Sequence, residues 1–189
     1  MPKKVFIIHG WGGNPEEGWF PWLKKELEKK GFHVEVPAMP DTDNPKIESW
    51  VSFLKKTIKN PGKDTYLIGH SIGCQAILRY LQGINSKIGG VVFVAGWFSL
   101  KGLETDGEWA IAKPWIETPI DFVKTKKALI KCSAIFSDND PFVPFDNSVI
   151  FKEKLGAKII IEKQKGHFSG SDNIAKLPSV LKELLEMAK

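Results

Sequence analysis

Short runs of consecutive apolar residues alternate along this chain with longer stretches in which apolar residues recur every three or four positions. The runs predict strands at Val5–Ile8, His33–Val36, Thr65–Ile68, Gly90–Ala95, Ser133–Phe136 and Lys158–Ile161. Most are continuous β-branched or aromatic segments, as strands covered on both faces require. The periodic stretches predict helices. One presents Trp19, Trp22, Leu23 and Leu27, and another runs from Ser71 to about Leu81. Asn44 then Pro45 reads as an N-cap and first helical residue, with Ile47, Trp50, Val51, Leu54 and Ile58 following on one face. Pro178 opens a last helix whose Val180, Leu181, Leu184, Leu185 and Ala188 form an apolar stripe. Such alternation predicts an α/β fold on a mostly parallel sheet.

The rhythm lapses from about residue 99 to 119, a segment with neither period that still carries Trp109, Pro114, Trp115 and Pro119. A connection this long predicts a small lid or substrate-binding excursion within a single domain spanning 1–189. At 189 residues the chain is long enough to bury an ordinary enzyme's core without disulfides or a structural metal. Its 42% hydrophobic and 26% charged residues are those of a globular protein. No apolar run approaches the roughly 20 residues that span a bilayer, and Val5–Ile8 is too short for a signal-peptide core. Cys74 and Cys132 show neither metal-ligand nor redox spacing, so buried thiols, a cytoplasmic location and no membrane partner are expected. The net charge of +5 is nearly all lysine, Arg79 being the sole arginine. Because lysines interleave with glutamates and specific nucleic-acid readers favour arginine, solvated helix faces and no nucleic-acid partner are expected.

The candidate chemistry centres on Gly69-His70-Ser71-Ile72-Gly73, between a predicted strand and a predicted helix. This is the pattern of a nucleophile elbow, whose serine sits on a strained turn that lifts its hydroxyl above the sheet edge. The flanking glycines serve the close approach of strand and helix, and the helix N-terminus adds free N–H groups where an oxyanion would develop. A serine hydroxyl needs a base and an acid to orient that base. Of four histidines, His70 adjoins the serine and points away, His33 lies on a strand in a structural role, and His9 ends the first strand. His167, in Gly166-His167-Phe168 after the last strand, is the candidate base. The loop after the preceding strand offers Asp138 and Asp140 as acids; one of them fits a turn-capping role instead. The order Ser, Asp, His is that of α/β hydrolases. His9-Gly10-Trp11-Gly12-Gly13 matches neither dinucleotide nor Walker patterns, and the amides of Trp11 and Ile72 are the candidate oxyanion donors.

Over nearly its whole length the chain resembles the retinoblastoma-binding protein 9 / YdeN-like family of small serine hydrolases. The matching stretches are His9-Gly10, Trp19-Phe20-Pro21-Trp22-Leu23-Lys24-Lys25, Met39-Pro40, Gly69-His70-Ser71, Asp140-Pro141-Phe142-Val143-Pro144 and Gly166-His167-Phe168. The resemblance implies a three-layer α/β-hydrolase fold, a sheet order of 2-1-3-4-5-6, and Asp140 as the acid. The family's Leu-x-Cys-x-Glu partner-binding motif has no counterpart around Cys74 or Cys132.

These features predict a cofactor-free, metal-free carboxylesterase acting on a small-molecule ester through Ser71, His167 and Asp140. Lactonase or aminopeptidase activity would use the same groups, and a non-catalytic binding protein is the rival from another class. An aminopeptidase would need an acidic residue for the substrate amine, for which Glu104, Asp106 and Glu108 are candidates. Trp97, Phe98, Trp109, Trp115, Phe142 and Phe168 are the candidate pocket aromatics. No histidine spacing suits a metal.

Overall fold

The structure, a computed structural model, describes residues 2–189. All six expected strands form, at β1 (Lys4–Ile8), β2 (His33–Glu35), β3 (Thr65–His70), β4 (Gly90–Val94), β5 (Cys132–Ser137) and β6 (Lys158–Glu162). They make one parallel sheet in the order β2-β1-β3-β4-β5-β6. The central strands β3 and β4 are buried at every residue, whereas the edge strand β6 is exposed at Lys158 and Ile161. That difference is why continuous apolar runs mark the middle of the sheet most clearly.

Among the described residues, seven α-helices complete three layers: α1 (Phe20–Glu28), α2 (Ile47–Thr57), α3 (Ile72–Leu81), α4 (Asp106–Glu117), α5 (Phe122–Lys127), α6 (Asn147–Ile150) and α7 (Pro178–Met187). A π-helical turn, Phe151–Leu155, extends α6. α1 and α7 pack together beside β2, β4 and β5, while α2 and α5 each pack against α3, which lies on β1 and β3. α3 is buried along its whole length. α7 carries the expected stripe and also buries Glu183, whose carboxylate accepts from the Ser133 hydroxyl and the Lys158 ammonium, each at 2.7 Å.

Two expectations are corrected. α2 starts at Ile47 with Lys46 as its N-cap, not at Asn44 and Pro45. Pro45 is buried, and its carbonyl accepts the Trp115 indole N–H at 2.9 Å, which holds it outside the helix. The 99–119 segment is not irregular throughout, since α4 occupies more than half of it. Thr105 and Glu108 form a capping box at its start. Pro114 within it withdraws the N–H that would serve Ala110, but both residues are exposed and water can satisfy that carbonyl.

The sheet order reverses between β1 and β3, the point where a doubly wound sheet opens a crevice at its carboxyl edge. Ile8 pairs with Gly69, so the loops leaving β1 and β3 emerge side by side.

Candidate active site

β3 runs into its turn with little room. A Cβ on Gly69 would lie 2.9 Å from the Cys74 nitrogen, so a residue without one lets α3 begin at once. Ser71 holds φ 53° and ψ −122°, a region that a residue with a Cβ enters under constraint. Its N–H donates to Val94 on β4 and its carbonyl accepts from Cys74, both at 2.9 Å. Ser71 lines a cavity of about 320 Å³, and its Oγ accepts a long hydrogen bond from the Trp97 indole at 3.4 Å.

His167 lines the same cavity from the turn after β6. Its Nδ1 lies 2.9 Å from Asp140 Oδ2; a carboxylate accepts, so Nδ1 is the donor. The other oxygen, Oδ1, accepts the backbone N–H groups of Phe142 at 2.8 Å and Val143 at 3.0 Å. Each carboxylate oxygen therefore has its own partners, and the Asp140 side chain is only 3% exposed. Asp138 is exposed and accepts the Gln164 N–H at 2.8 Å. Together with Asn139, which accepts the Gly166 N–H at 2.9 Å, it ties the two loops together. The geometry thus pairs His167 with Asp140 and gives Asp138 the turn-bridging role.

Opposite these loops stands the glycine-rich segment after β1. His9 is fully buried. Its Nε2 accepts the Met39 N–H at 3.0 Å, so Nδ1 carries the proton and donates to the Gly10 carbonyl at 2.9 Å. The Gly12 N–H donates to Thr42 and the Trp11 indole to Asp43, which moors the loop further. The Met-Pro pair of the sequence lies in this mooring: the Met39 main-chain N–H binds His9 and the Pro40 carbonyl accepts the Trp50 indole N–H. Among the described residues, neither the Trp11 nor the Ile72 backbone N–H donates to another protein group, and both residues line the cavity.

Burial lowers the pKa of His9, and that of His70 falls to about 3 through burial and the neighbouring His167. Both imidazoles are therefore less basic folded than unfolded. Below the ordinary histidine value of about 6.5 the unfolded chain binds more protons, so stability falls with pH from there down to the folded pKa. His70, whose folded pKa of about 3 keeps it neutral through this window, sets a decline on the order of 1 kcal/mol per pH unit. Denaturation midpoints at pH 7, 6 and 5 should show that decline above the range where carboxylates titrate. A flat profile would mean that these imidazoles are not held neutral.

The cavity walls are mainly apolar, with Trp97, Leu100, Leu103 and Phe142 among them. Of the six aromatic candidates, Trp97 and Phe142 line it; the other four lie elsewhere. Phe98 packs with Phe122 and Phe151, and Trp115 is buried against Trp50. Phe168 is fully buried under the His167 turn, and Trp109 lies on the exposed face of α4, its indole donating to Leu103. Their spacing located the right segments but could not show which way each ring turns. Two carboxylates also line the cavity, Glu108 on α4 and Glu17, while no lysine or arginine does among the described residues. Glu104 and Asp106 are exposed and do not line it. Glu17, Leu100 and Leu103 went unread in the sequence because no motif surrounds them. Asp172, which accepts the His167 N–H at 2.9 Å, was marked only by its place five residues after that histidine.

This sheet order and elbow define an α/β hydrolase. The chain belongs to the Serine hydrolase family, which it matches over residues 5–186. It is 32% identical over 183 residues to Bacillus subtilis YdeN, covering 95% of this chain and 93% of that one. The crystal structure of the ydeN gene product matches with a TM-score of 0.90 at 30% identity, covering 98% of each chain. Serine hydrolase RBBP9 of Rattus norvegicus is 28% identical over 194 residues, covering 99% of this chain and 98% of that one. A carboxylesterase structure from Nitrososphaera gargenis shares the fold, with a TM-score of 0.73 at 15% identity, covering 99% of this chain and 90% of that one. No helix among the described residues is long and apolar enough to cross a membrane.

Proposed function

We propose that this chain is a carboxylesterase that cleaves small to medium acyl esters through Ser71, His167 and Asp140. His167 Nε2 takes the Ser71 proton as Oγ attacks the carbonyl carbon, and the carbonyl π pair moves onto oxygen. The Trp11 and Ile72 N–H groups receive that oxyanion. Collapse expels the alcohol with the proton from His167, leaving an ester on Ser71. Water, deprotonated by the same imidazole, attacks this ester, releasing the carboxylic acid and returning the proton to Ser71 Oγ. Asp140 stabilises the imidazolium in each half. The observation that carries this reading is the 2.9 Å His167–Asp140 hydrogen bond beside a serine held at φ 53° on the same cavity. A volume of about 320 Å³ with apolar walls suits small ligands.

A second reading is cleavage of aminoacyl bonds, favoured by Glu17 and Glu108 in a cavity wall without basic residues. An ammonium group on the substrate would offset those carboxylates. Fluorophosphonate labelling of wild type and Ser71→Ala, with matched panels of p-nitrophenyl esters and amino-acid p-nitroanilides, tests both. The expected result is labelling and ester turnover in wild type and neither in Ser71→Ala. Labelling that survives the substitution would overturn the nucleophile. Anilide turnover exceeding ester turnover would favour the second reading, and folded wild type inert to every probe would favour a binding protein.

A further inference from the structure

The turn that carries His167 is strained. Gln164, Gly166, Phe168 and Asn173 all have φ between 50° and 60°. For glycine this is free, but Phe168 is bulky, fully buried and directly follows the candidate base. A strained backbone persists where its surroundings over-determine it. Here three side chains grip the main chain on both sides of the imidazole. Asp172 Oδ2 accepts the His167 N–H at 2.9 Å and the Ser169 N–H at 3.0 Å. His70 Nε2 lies 2.7 Å from the His167 carbonyl, so it must carry the proton and donate. The Trp19 indole donates to the Phe168 carbonyl at 3.0 Å. His70 itself packs at steep angles to Trp19 and Phe20, with ring centroids 6.2 and 6.1 Å away.

We infer that His70, Trp19 and Asp172 are positioning residues that hold the His167 turn in its strained form, so that Nδ1 meets Asp140 while the ring faces the cavity. The inference rests on reading His167 as the base. It gives a role to the elbow histidine, which lines the cavity wall beside His167, and to the tryptophan at the start of α1. Burial suits His70 to such a role. With its pKa lowered to about 3 it stays a neutral donor throughout the working range, with His167, Asp140 and Asp172 as the titratable groups that act on it. Turnover depends on these bonds because a displacement of about 1 Å in a catalytic group can slow a reaction about a hundredfold.

The test compares His70→Phe, which keeps a ring but loses the donor, with His70→Gln, whose amide can donate from nearly the same place. Trp19→Phe, which removes one N–H from a buried ring, covers the case in which His70→Phe fails to fold. In each variant kcat and KM are measured on a p-nitrophenyl ester, and the downfield Nδ1 proton resonance of His167 is followed by NMR, identified by its loss in His167→Gln. His70→Phe should lower kcat about ten- to a hundredfold with KM within about twofold, and broaden or shift the Nδ1 resonance. His70→Gln should recover most of both, and Trp19→Phe should move both in the same direction by less. An unshifted Nδ1 resonance in folded His70→Phe and Trp19→Phe would overturn the inference, as would equal losses in His70→Phe and His70→Gln. The resonance reads the turn without turnover. If His167→Gln leaves turnover intact, the catalytic reading fails while the positioning of the ring is still decided.

Discussion

An Asp140→Asn variant should lose about four orders of magnitude in kcat with little change in KM, a loss of the size seen when the orienting acid of such a triad becomes an amide. The surroundings of this aspartate dictate why. Two backbone N–H groups, from Phe142 and Val143, point at Oδ1. An asparagine must keep its oxygen there, because turning its NH₂ toward them would set donors against donors. Its NH₂ then faces His167 and donates into Nδ1. The imidazole proton is forced to Nε2, the atom that must accept the proton from Ser71. Asp138→Asn should stay within about threefold of wild type, since its remaining oxygen can still accept the Gln164 N–H on an exposed loop. Steady-state kinetics and fluorophosphonate labelling rates on both variants check this. Equal losses in the two would show that the 2.9 Å contact to His167 does not distinguish the two acids.

Gly73→Ala should be among the most damaging single methyl groups in the chain. A Cβ there would lie 2.7 Å from the His9 carbonyl oxygen and closer still to that of Ile8. Both obstacles are main chain at the end of β1, so no rotamer change relieves them. Either α3 lifts from the sheet or the His9–Gly13 loop shifts, and a loss of more than about 3 kcal/mol is expected. Any protein that still folds should have a displaced Trp11 amide and reduced kcat. Gly62→Ala is the control: nothing lies within 4 Å of its added Cβ, and stability should change by less than about 0.5 kcal/mol. Urea midpoints measure both. A Gly73→Ala midpoint near that of wild type would mean that the strand and helix approach less closely than described.

The elements most legible in the sequence were those whose signal is local. Buried central strands announced themselves as unbroken apolar runs, and Pro178 fixed the start of α7 within its own first turn. The elbow was legible because its glycines stand at fixed offsets from Ser71, although only Gly69 answers to a near neighbour, Cys74, while Gly73 answers to Ile8 and His9 at the end of β1. α4 was hidden by Pro114 despite the Thr105–Glu108 capping box, which carried the readable signal. The start of α2 was misplaced because Pro45 answers to Trp115, 70 residues away. The aromatic candidates divided for the same reason, since a ring's direction depends on what packs behind it.

Ser71 between its glycines, the order of serine, aspartate and histidine, and a parallel α/β sheet were determined by the sequence alone, each through spacing within one element or its succession along the chain. Spacing alone left Asp138 and Asp140 open and the family resemblance implied Asp140; the tertiary structure brings Asp140 to His167 across 27 residues. It alone decided that His70 reaches the His167 carbonyl across 97 residues, and that Glu17 and Glu108 come to line one cavity. Hydrogen bonds reach only about 3 Å, so partners this far apart in sequence are chosen by how the loops converge at the carboxyl edge of the sheet. No local pattern records that convergence.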